Sequence, residues 1–526
     1  MKRKKSVKAS VAVMACLLAI SSSGFQVLAA DNPVVPVRST SQTQMQSEPE
    51  MVYVNAVENP SERSLNFNDN WKFNLGDIKG AEAKGFDDSK WENVSVPHDY
   101  SIIQDYQENL EAESGYLPGG AGWYRKYFTV SEEMKDKRLR IDFDGVYMNA
   151  TVYVNGQELG THPFGYTPFS FDITDEVKVG EENVIAVKVD HKTPSSRWYS
   201  GSGIYRNVHL SVTDAVHVDL YGQKIETPKL KEQAGKNVTM KVDTTVVNEA
   251  EEKASVTVKH TVFVKGKENE KIAEAEGNAV EIAAGASQVI ESEFGTTSAP
   301  ALWSVKSPSL YTVRTEVKAG NQVLDVVEED NGFRWFEMDK DTGASLNGEA
   351  IKLKGVCMHH DQGSLGSAAY RRAIERQVEI LQEMGANSIR VTHNPAAEVL
   401  IDICNEKGML VIDELFYGWM FPKNENKHDY SKWFGKAIGD GNTIIGGTAA
   451  MTWAEFDLKA TLRRGQNDPS IIMWSLGNEI QEGAGGSGYN KQSQKLISWA
   501  QETDSTRMLT IGSNAVSEPY NFHCGY

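Results

Sequence analysis

The spacing of apolar residues changes once along this chain, near Asn347-Gly348, and the two parts predict different architectures. Between residues 65 and 212, short runs alternate apolar with polar: Arg-Leu-Arg-Ile-Asp-Phe at 138–143, Ala-Thr-Val-Tyr-Val at 150–154, and further runs at 184–189 and 208–212. A period of two puts every second side chain on one face, the mark of half-buried strands. Asn155-Gly156 after the second run is a hairpin signal, because a two-residue turn needs positive φ at both positions. The predicted fold for residues 62–213 is an antiparallel β-sandwich of the jelly-roll type. Alternation continues at 256–264 and 311–317, and the length of residues 214–334 suits an immunoglobulin-like β-sandwich.

After residue 347, strand-like runs take turns with amphipathic helices. Strands are expected at 351–358, 388–392, 409–412, 471–475 and 509–511, and helices at 371–384, 396–406, 452–464 and 492–501. A Gly-rich insertion follows the third strand. Serial βα units build a parallel sheet, so residues 335–526 read as the N-terminal part of a (β/α)8 TIM barrel. A barrel of roughly 250 residues uses about 31 per unit. The 176 residues from 351 to 526 therefore supply five to six units, and strands six to eight are expected beyond Tyr526.

Two segments stand outside this architecture. Residues 1–30 carry Lys2, Arg3, Lys4, Lys5 and Lys8, then ten uncharged residues at 11–20, then the small pair Ala29-Ala30. That is a secretory signal peptide, with an apolar run too short to span a bilayer, so the mature chain is expected outside the cell or at its surface. Its removal leaves 49 basic against 72 acidic residues, a net charge of −23, which disfavours nucleic acid and anionic membrane as partners. Residues 31–61, rich in Pro, Ser, Thr and Gln, read as a flexible leader. Cys357, Cys404 and Cys524 are too few for a disulfide framework, and Cys357 and Cys404 lie in apolar segments as expected core residues. No phosphate loop, Cys-x-x-Cys pair or nucleophile elbow appears, and no cofactor is expected.

Polar residues gather where the barrel strands end. His359-His360-Asp361 follows the first strand; Arg390, His393 and Asn394 lie on and just after the second; Asp413-Glu414 closes the third; Asn478-Glu479 ends Trp474-Ser-Leu-Gly-Asn-Glu479. That rim carries the active site in such barrels, and buried charges need partners, so the set as a whole favours chemistry. Glu479 follows a glycine that admits a substrate and is placed for general acid catalysis; the competing reading is a helix cap. Adjacent strand residues point to opposite faces, so at most one of His359 and His360 joins Asp361, and no metal site is expected. Asp413 and Glu414 read equally as site groups and as ion-pair partners of Arg390. Trp419, Trp433 and Trp453 read equally as sugar-stacking rings and as packing anchors.

The chain resembles glycoside hydrolase family 2, the family of β-galactosidases, β-glucuronidases and β-mannosidases. The resemblance rests on Asp88-Ser-Lys-Trp91, Val96-Pro-His-Asp99, Gly122-Trp-Tyr-Arg-Lys-Tyr-Phe128, Gly203-Ile-Tyr-Arg206, Pro308-Ser-Leu-Tyr311 and Gly332-Phe-Arg334. In the barrel it rests on Ile389-Arg-Val-Thr-His-Asn-Pro395, Asp413-Glu414 and the run Asp468-Pro-Ser-Ile-Ile-Met-Trp474 leading into Glu479. It implies that Glu479 is the acid/base carboxylate, with Asn478 on the sugar 2-hydroxyl. Arg390, His393 and Glu414 would shape the pocket, with Asn394, His359 and Asp361 beside them. A general acid working near neutral pH needs a raised pKa. The resemblance also places the nucleophile carboxylate beyond Tyr526, so this chain alone is expected to be an inactive fragment with an open barrel edge. Val356-Cys-Met-His-His-Asp361 is similar to the β-galactosidase branch, implying retaining cleavage of terminal non-reducing β-D-galactose. The rivals are β-glucuronidase or another family 2 glycosidase and, from a different class, a non-catalytic carbohydrate-binding or adhesion protein. Arg464-Gly-Gln-Asn-Asp468 departs from a more basic run in the family, on the face away from the site, so no effect on catalysis is expected.

Overall fold

The computed structural model describes residues 51–54, 62–423, 426–484 and 487–512. The signal peptide, most of the leader and Cys524 lie outside the described residues. Two sheets make the first domain. One has the order Glu92–Val94, Trp71–Leu75, Gly120–Val130, Glu182–His191, Ala150–Val154, Gln157–His162; the other has Ser64–Asn66, Val208–Thr213, Arg138–Phe143, Phe169–Asp172. Asn155 and Gly156 close their hairpin at φ of 51° and 90°, as the two-residue turn requires. One element departs from expectation. Val52–Val54, inside the expected flexible leader, pairs in parallel with Gly120–Val130, because Val54 finds a buried seat opposite Val130.

The second domain is a sandwich of a three-stranded sheet (Val216–Glu226, Thr239–Asn248, Ala286–Gly295) and a five-stranded sheet. The latter runs Lys267–Glu276, Ala254–Val264, Tyr311–Ala319, Gln322–Asn331, with Val280–Ile282 also on Ala254–Val264. Met240, Val242, Val262 and Val313 fill the space between the sheets.

Five parallel strands in chain order form the barrel sheet: Gly355–Met358, Ser388–Val391, Leu410–Glu414, Ile471–Asn478 and Met508–Gly512. The connecting helices are Arg371–Glu383, Glu398–Lys407, Trp453–Gly465 and Ser487–Thr503. Thr452 caps the third of these by accepting from Glu455 N at 3.3 Å. The first strand begins later than expected, since Ile351 and Leu353 leave the sheet to pack with Trp303, Leu346 and Leu410 beneath it. Cys404 is buried, but Cys357 is exposed rather than in the core. Its strand is the edge of the sheet, and the alternation turns its sulfur toward Arg390 Nη1 at 3.6 Å. Among the described residues no helix is long and apolar enough to cross a membrane.

The jelly roll and the barrel share one core. Phe164 of the first domain stacks on Tyr430 of the barrel insertion, ring centroids 4.1 Å apart. Arg206, wholly buried, donates to the carbonyls of Tyr166 (2.8 Å), Pro395 (2.7 Å) and Ala396 (3.0 Å), joining both domains through acceptors that otherwise lack water. The run 464–468 sits where all three domains meet: Arg464 pairs with Asp144 at 2.6 Å, and Asn467 Nδ2 donates to Gln223 O at 2.7 Å.

A cleft of about 600 Å³ opens between the second domain and helix Glu398–Lys407, lined by Lys265, Glu329, Asp330, Glu398, Asp402 and Asp468 among others. Burial, then repulsion from Asp468 and Asp330, pushes Glu329 up to about 8. An unfolded glutamate titrates near pH 4.3, so the folded chain keeps a proton that the unfolded chain has lost, and the associated stability disappears as pH rises toward 8. The buried neutral histidines His191 and His260 work in the opposite sense only below about pH 6.5, where an unfolded histidine takes up its proton. We therefore expect the urea midpoint to fall between pH 6.5 and 8, and Glu329→Gln to flatten that slope. An unchanged slope in the variant would remove Glu329 as its source.

Candidate active site

Alternation along Leu410–Glu414 sends the last two side chains to opposite sides of the sheet. Asp413 faces outward, where its Oδ1 accepts from Ala396 N at 2.9 Å and burial pushes its carboxyl up to about 6. Glu414 faces the barrel mouth and is wholly buried. Its Oε2 accepts from Arg390 Nη2 (2.6 Å) and Ser475 Oγ (2.8 Å), and its Oε1 meets His393 Nδ1 at 2.8 Å. Of the adjacent acidic pair, Glu414 is the partner of Arg390.

The same Arg390 Nη2 donates to Asn478 Oδ1 at 2.9 Å, so one guanidinium ties the ends of three strands. Glycine is needed at position 512 for this: a Cβ there would lie 2.4 Å from Arg390 Nη2 and 2.8 Å from Asn478 Oδ1. Asn478 donates its N–H to Phe416 O (3.2 Å) and its carbonyl accepts from Lys423 Nζ. Burial, then the charge of Arg197, pushes the Lys423 ammonium down to about 8.

Glu479 is the first residue beyond the fourth strand. Its backbone is held at φ 45°, in the left-handed region, by its N–H donating to Gly512 O at 2.6 Å. Its side chain, 37% exposed, accepts from Arg197 Nη1 at 2.9 Å. That hydrogen bond, opposed by partial burial and reinforced by the charges of Arg197, Lys423 and His393, holds the Glu479 carboxyl below the ordinary glutamate range. The direction is opposite to the raised value expected of a general acid, because a guanidinium stands where burial or a second carboxylate would be needed to raise it.

His359 and His360 diverge. The His359 ring lies 4.2 Å from Trp198 and 5.4 Å from His393, and burial followed by repulsion from His393 pushes it down to about 4. His360 is half-buried, with its ring against Tyr166 at 4.9 Å. Asp361 stands on the exposed rim with its carbonyl accepting from Gln377 Nε2 at 3.1 Å, and Asn394 is buried with its backbone on His360. The structure thus joins Arg390, His393, Glu414 and Asn478 in one hydrogen-bonded set, with His359 beside it through ring contact with His393 and Glu479 next to it on Arg197, and leaves Asp361 and Asn394 outside. Among the described residues, no group of three or more His, Cys, Asp or Glu is disposed to hold a metal ion.

Four residues of the mouth escaped the sequence reading: Arg197, Trp198, Lys423 and Ser475. Arg197 and Trp198 come from the jelly roll, in a polar loop with no periodicity; the one available signal was its position just before Gly203-Ile-Tyr-Arg206. Asp99 fixes that loop. Its Oδ1 accepts from the N–H groups of Ser101 and Ser202 (both 2.9 Å), and its Oδ2 from Tyr199 OH (2.6 Å) and Ser367 N (2.8 Å) across the domain boundary. Trp419 and Trp453 are buried packing anchors, Trp419 donating to Leu476 O at 2.9 Å, and Trp433 lies under Lys436.

Two β-sandwiches leading into a parallel barrel, with carboxylates and amides at the strand ends, define a carbohydrate-active architecture. Three family models match in succession: "Glycosyl hydrolases family 2, sugar binding domain" over residues 65–214, "Glycosyl hydrolases family 2" over 220–334, and its "TIM barrel domain" over 339–524. The chain belongs to glycoside hydrolase family 2. It is 42% identical over 426 residues to Beta-galactosidase BoGH2A of Bacteroides ovatus, covering 80% of this chain and 47% of that protein. A family 2 member from Bacteroides cellulosilyticus superposes with a TM-score of 0.79 at 33% identity, over 86% of this chain and 56% of the other. A Bacteroides uniformis β-glucuronidase gives 0.70 at 28%, over 85% and 52%. The chain spans about half the length of the curated relatives it matches.

Removing Arg390 leaves Glu414 buried with its main counter-charge gone. Arg390→Met should cost about 2–3 kcal/mol in chemical denaturation. Arg390→Lys should recover only part, because one ammonium on a flexible stem does not span Glu414, Asn478 and the Cys357 sulfur together. Full recovery by lysine would show that only charge matters there.

Proposed function

We propose that this chain serves a retaining hydrolysis of terminal non-reducing β-D-galactosides, with Glu479 as the acid/base group. The reading rests on one observation above the others: the Glu479 carboxylate stands open at the end of the fourth barrel strand, beside an Asn478 side chain fixed by Arg390. With the Asn478 amide oxygen taken by Arg390, its NH2 is the group left for a sugar hydroxyl. In the first step, Glu479 gives its proton to the glycosidic oxygen as the C1–O bond breaks and a nucleophilic carboxylate bonds to C1. In the second, water attacks C1, gives its proton to Glu479, and the C1–carboxylate bond breaks. The nucleophile must lie about 5–5.5 Å from the acid. Glu414 is poorly suited to that part, since both its oxygens are already bonded, so the nucleophile of this reading is a different carboxylate. The signal-peptide pattern of residues 1–30 supports export of the enzyme.

A second reading has its own support. Arg197 and Lys423 put two cations at the mouth, which suits the carboxylate of a β-glucuronide, and a Bacteroides uniformis β-glucuronidase is among the similar structures. A panel of nitrophenyl β-galactoside, β-glucuronide and β-mannoside separates the sugars. In any active form, Glu479→Gln should slow poor leaving groups by about 10²-fold or more, with a smaller loss of glycosylation rate on activated aryl glycosides. Small, equal losses on both would take the acid role from Glu479. Sugar binding without turnover in a form carrying the whole barrel would favour a carbohydrate-binding protein.

A further inference from the structure

The loop that carries Arg197 is held at both ends. His191, buried at the end of its strand, meets Ser202 Oγ with Nδ1 at 2.5 Å and Ser195 Oγ with Nε2 at 2.8 Å, and Tyr147 OH meets Ser195 Oγ at 2.9 Å. Asp99 fixes Tyr199 and Ser202, as described above. Between these anchors Trp198 lays its ring beside those of His359 (4.2 Å) and His393 (6.3 Å), although 44% of the residue stays open to solvent. The neighbouring Arg197 is thus aimed at the barrel mouth by a rigid frame. It ends 2.9 Å from Glu479 Oε2, while the backbone of Glu479 is pinned from the other side by Gly512.

We propose that Arg197, a residue of the jelly-roll domain, is a positioning residue that orients the Glu479 carboxylate and sets the balance between its acid and base forms. The inference rests on the acid/base reading of Glu479 given above. Three basic side chains face that carboxylate from three elements: Arg197 from the jelly roll, Lys423 from the insertion after the third strand, and His393 after the second strand. Lys423 is bonded to Asn478 O and His393 to Glu414, whereas Arg197 bonds the carboxylate itself. The carboxylates Glu414 and Glu482 act on Lys423 and temper its effect. A double displacement needs the protonated form of Glu479 in its first step and the ionised form in its second. A guanidinium at hydrogen-bond distance favours the ionised form, and so holds Glu479 in the state the second step requires while making it a weaker acceptor of the water proton. The first domain therefore enters the chemistry through this one contact, rather than by holding sugar alone.

The test begins with the 526-residue chain itself. Carboxyl-13C NMR, with Glu479 assigned by its loss in Glu479→Gln, follows the titration midpoint of this one group. Arg197→Met should raise the midpoint by about 0.5–1 unit, since the pair is partly exposed, and Arg197→Lys should restore most of the shift. If Arg197→Met does not fold, Arg197→Gln carries the same titration. A midpoint unmoved by loss of the guanidinium would overturn the proposal. In any active form, the alkaline limb of kcat/KM should move up by the same amount in Arg197→Met, with little change in KM. A raised KM on an unmoved profile would also overturn it, and would make Arg197 a sugar contact. Full activity in Glu479→Gln would defeat the acid/base reading instead, so the two failures are told apart.

Discussion

Glu414 is a carboxylate with no access to water, and the barrel mouth is organised by the need to keep it paired. Its two oxygens collect an arginine from the second strand, a histidine from the loop after it and a hydroxyl from the fourth strand. Each partner is drawn to a position that the others then constrain, because an unpaired charge at that depth costs several kcal/mol. Arg390, committed to Glu414, is turned so that the same nitrogen reaches Asn478, and the room it needs dictates glycine at the end of the fifth strand. Asn478 and Glu479 therefore inherit their placement from a charge they do not touch directly.

The second constraint comes from outside the barrel. Arg206 and Asp99 cross the boundary between the jelly roll and the barrel, and each is satisfied by groups on both sides. Together with the shared core around Phe164 and Tyr430 they make the two domains one packed body. A rigid junction is what allows a loop of the first domain to present Arg197 and Trp198 to the mouth at fixed distances. The departure from the family pattern at 464–468 also belongs here: Asn467 bonds the second domain, and Arg464 bonds the first.

Much of this was legible in the residue order. The switch from a period of two to alternating strands and helices located the barrel, and the turn at Asn155-Gly156 announced itself by local chemistry. The strand-end residues His359, Arg390, His393, Glu414, Asn478 and Glu479 were found because a barrel strand delivers its last residues to one rim. The alternation rule separated His359 from His360 and, applied to Asp413 and Glu414, would have separated those too. Cys357 was misjudged because apolar neighbours say nothing about whether a strand lies at the edge of its sheet. Val52–Val54 was missed because three residues carry too little pattern to mark a strand.

What the sequence determined by itself is whatever depends on contacts a few residues apart: periodicity, turns, caps, and the strand-end position of each polar side chain. Those follow from local geometry, which repeats from one protein to the next. Only the tertiary structure decided the partners. That Glu479 meets Arg197, 282 positions away, and has its carboxyl held below the ordinary glutamate range by it, follows from how two domains pack. The same holds for Asp99 reaching Ser367 and for Arg390 bridging Glu414 and Asn478. The ionisation of a carboxyl is set by charges within a few ångströms of it, and distance in space is the quantity that distance along the chain does not carry.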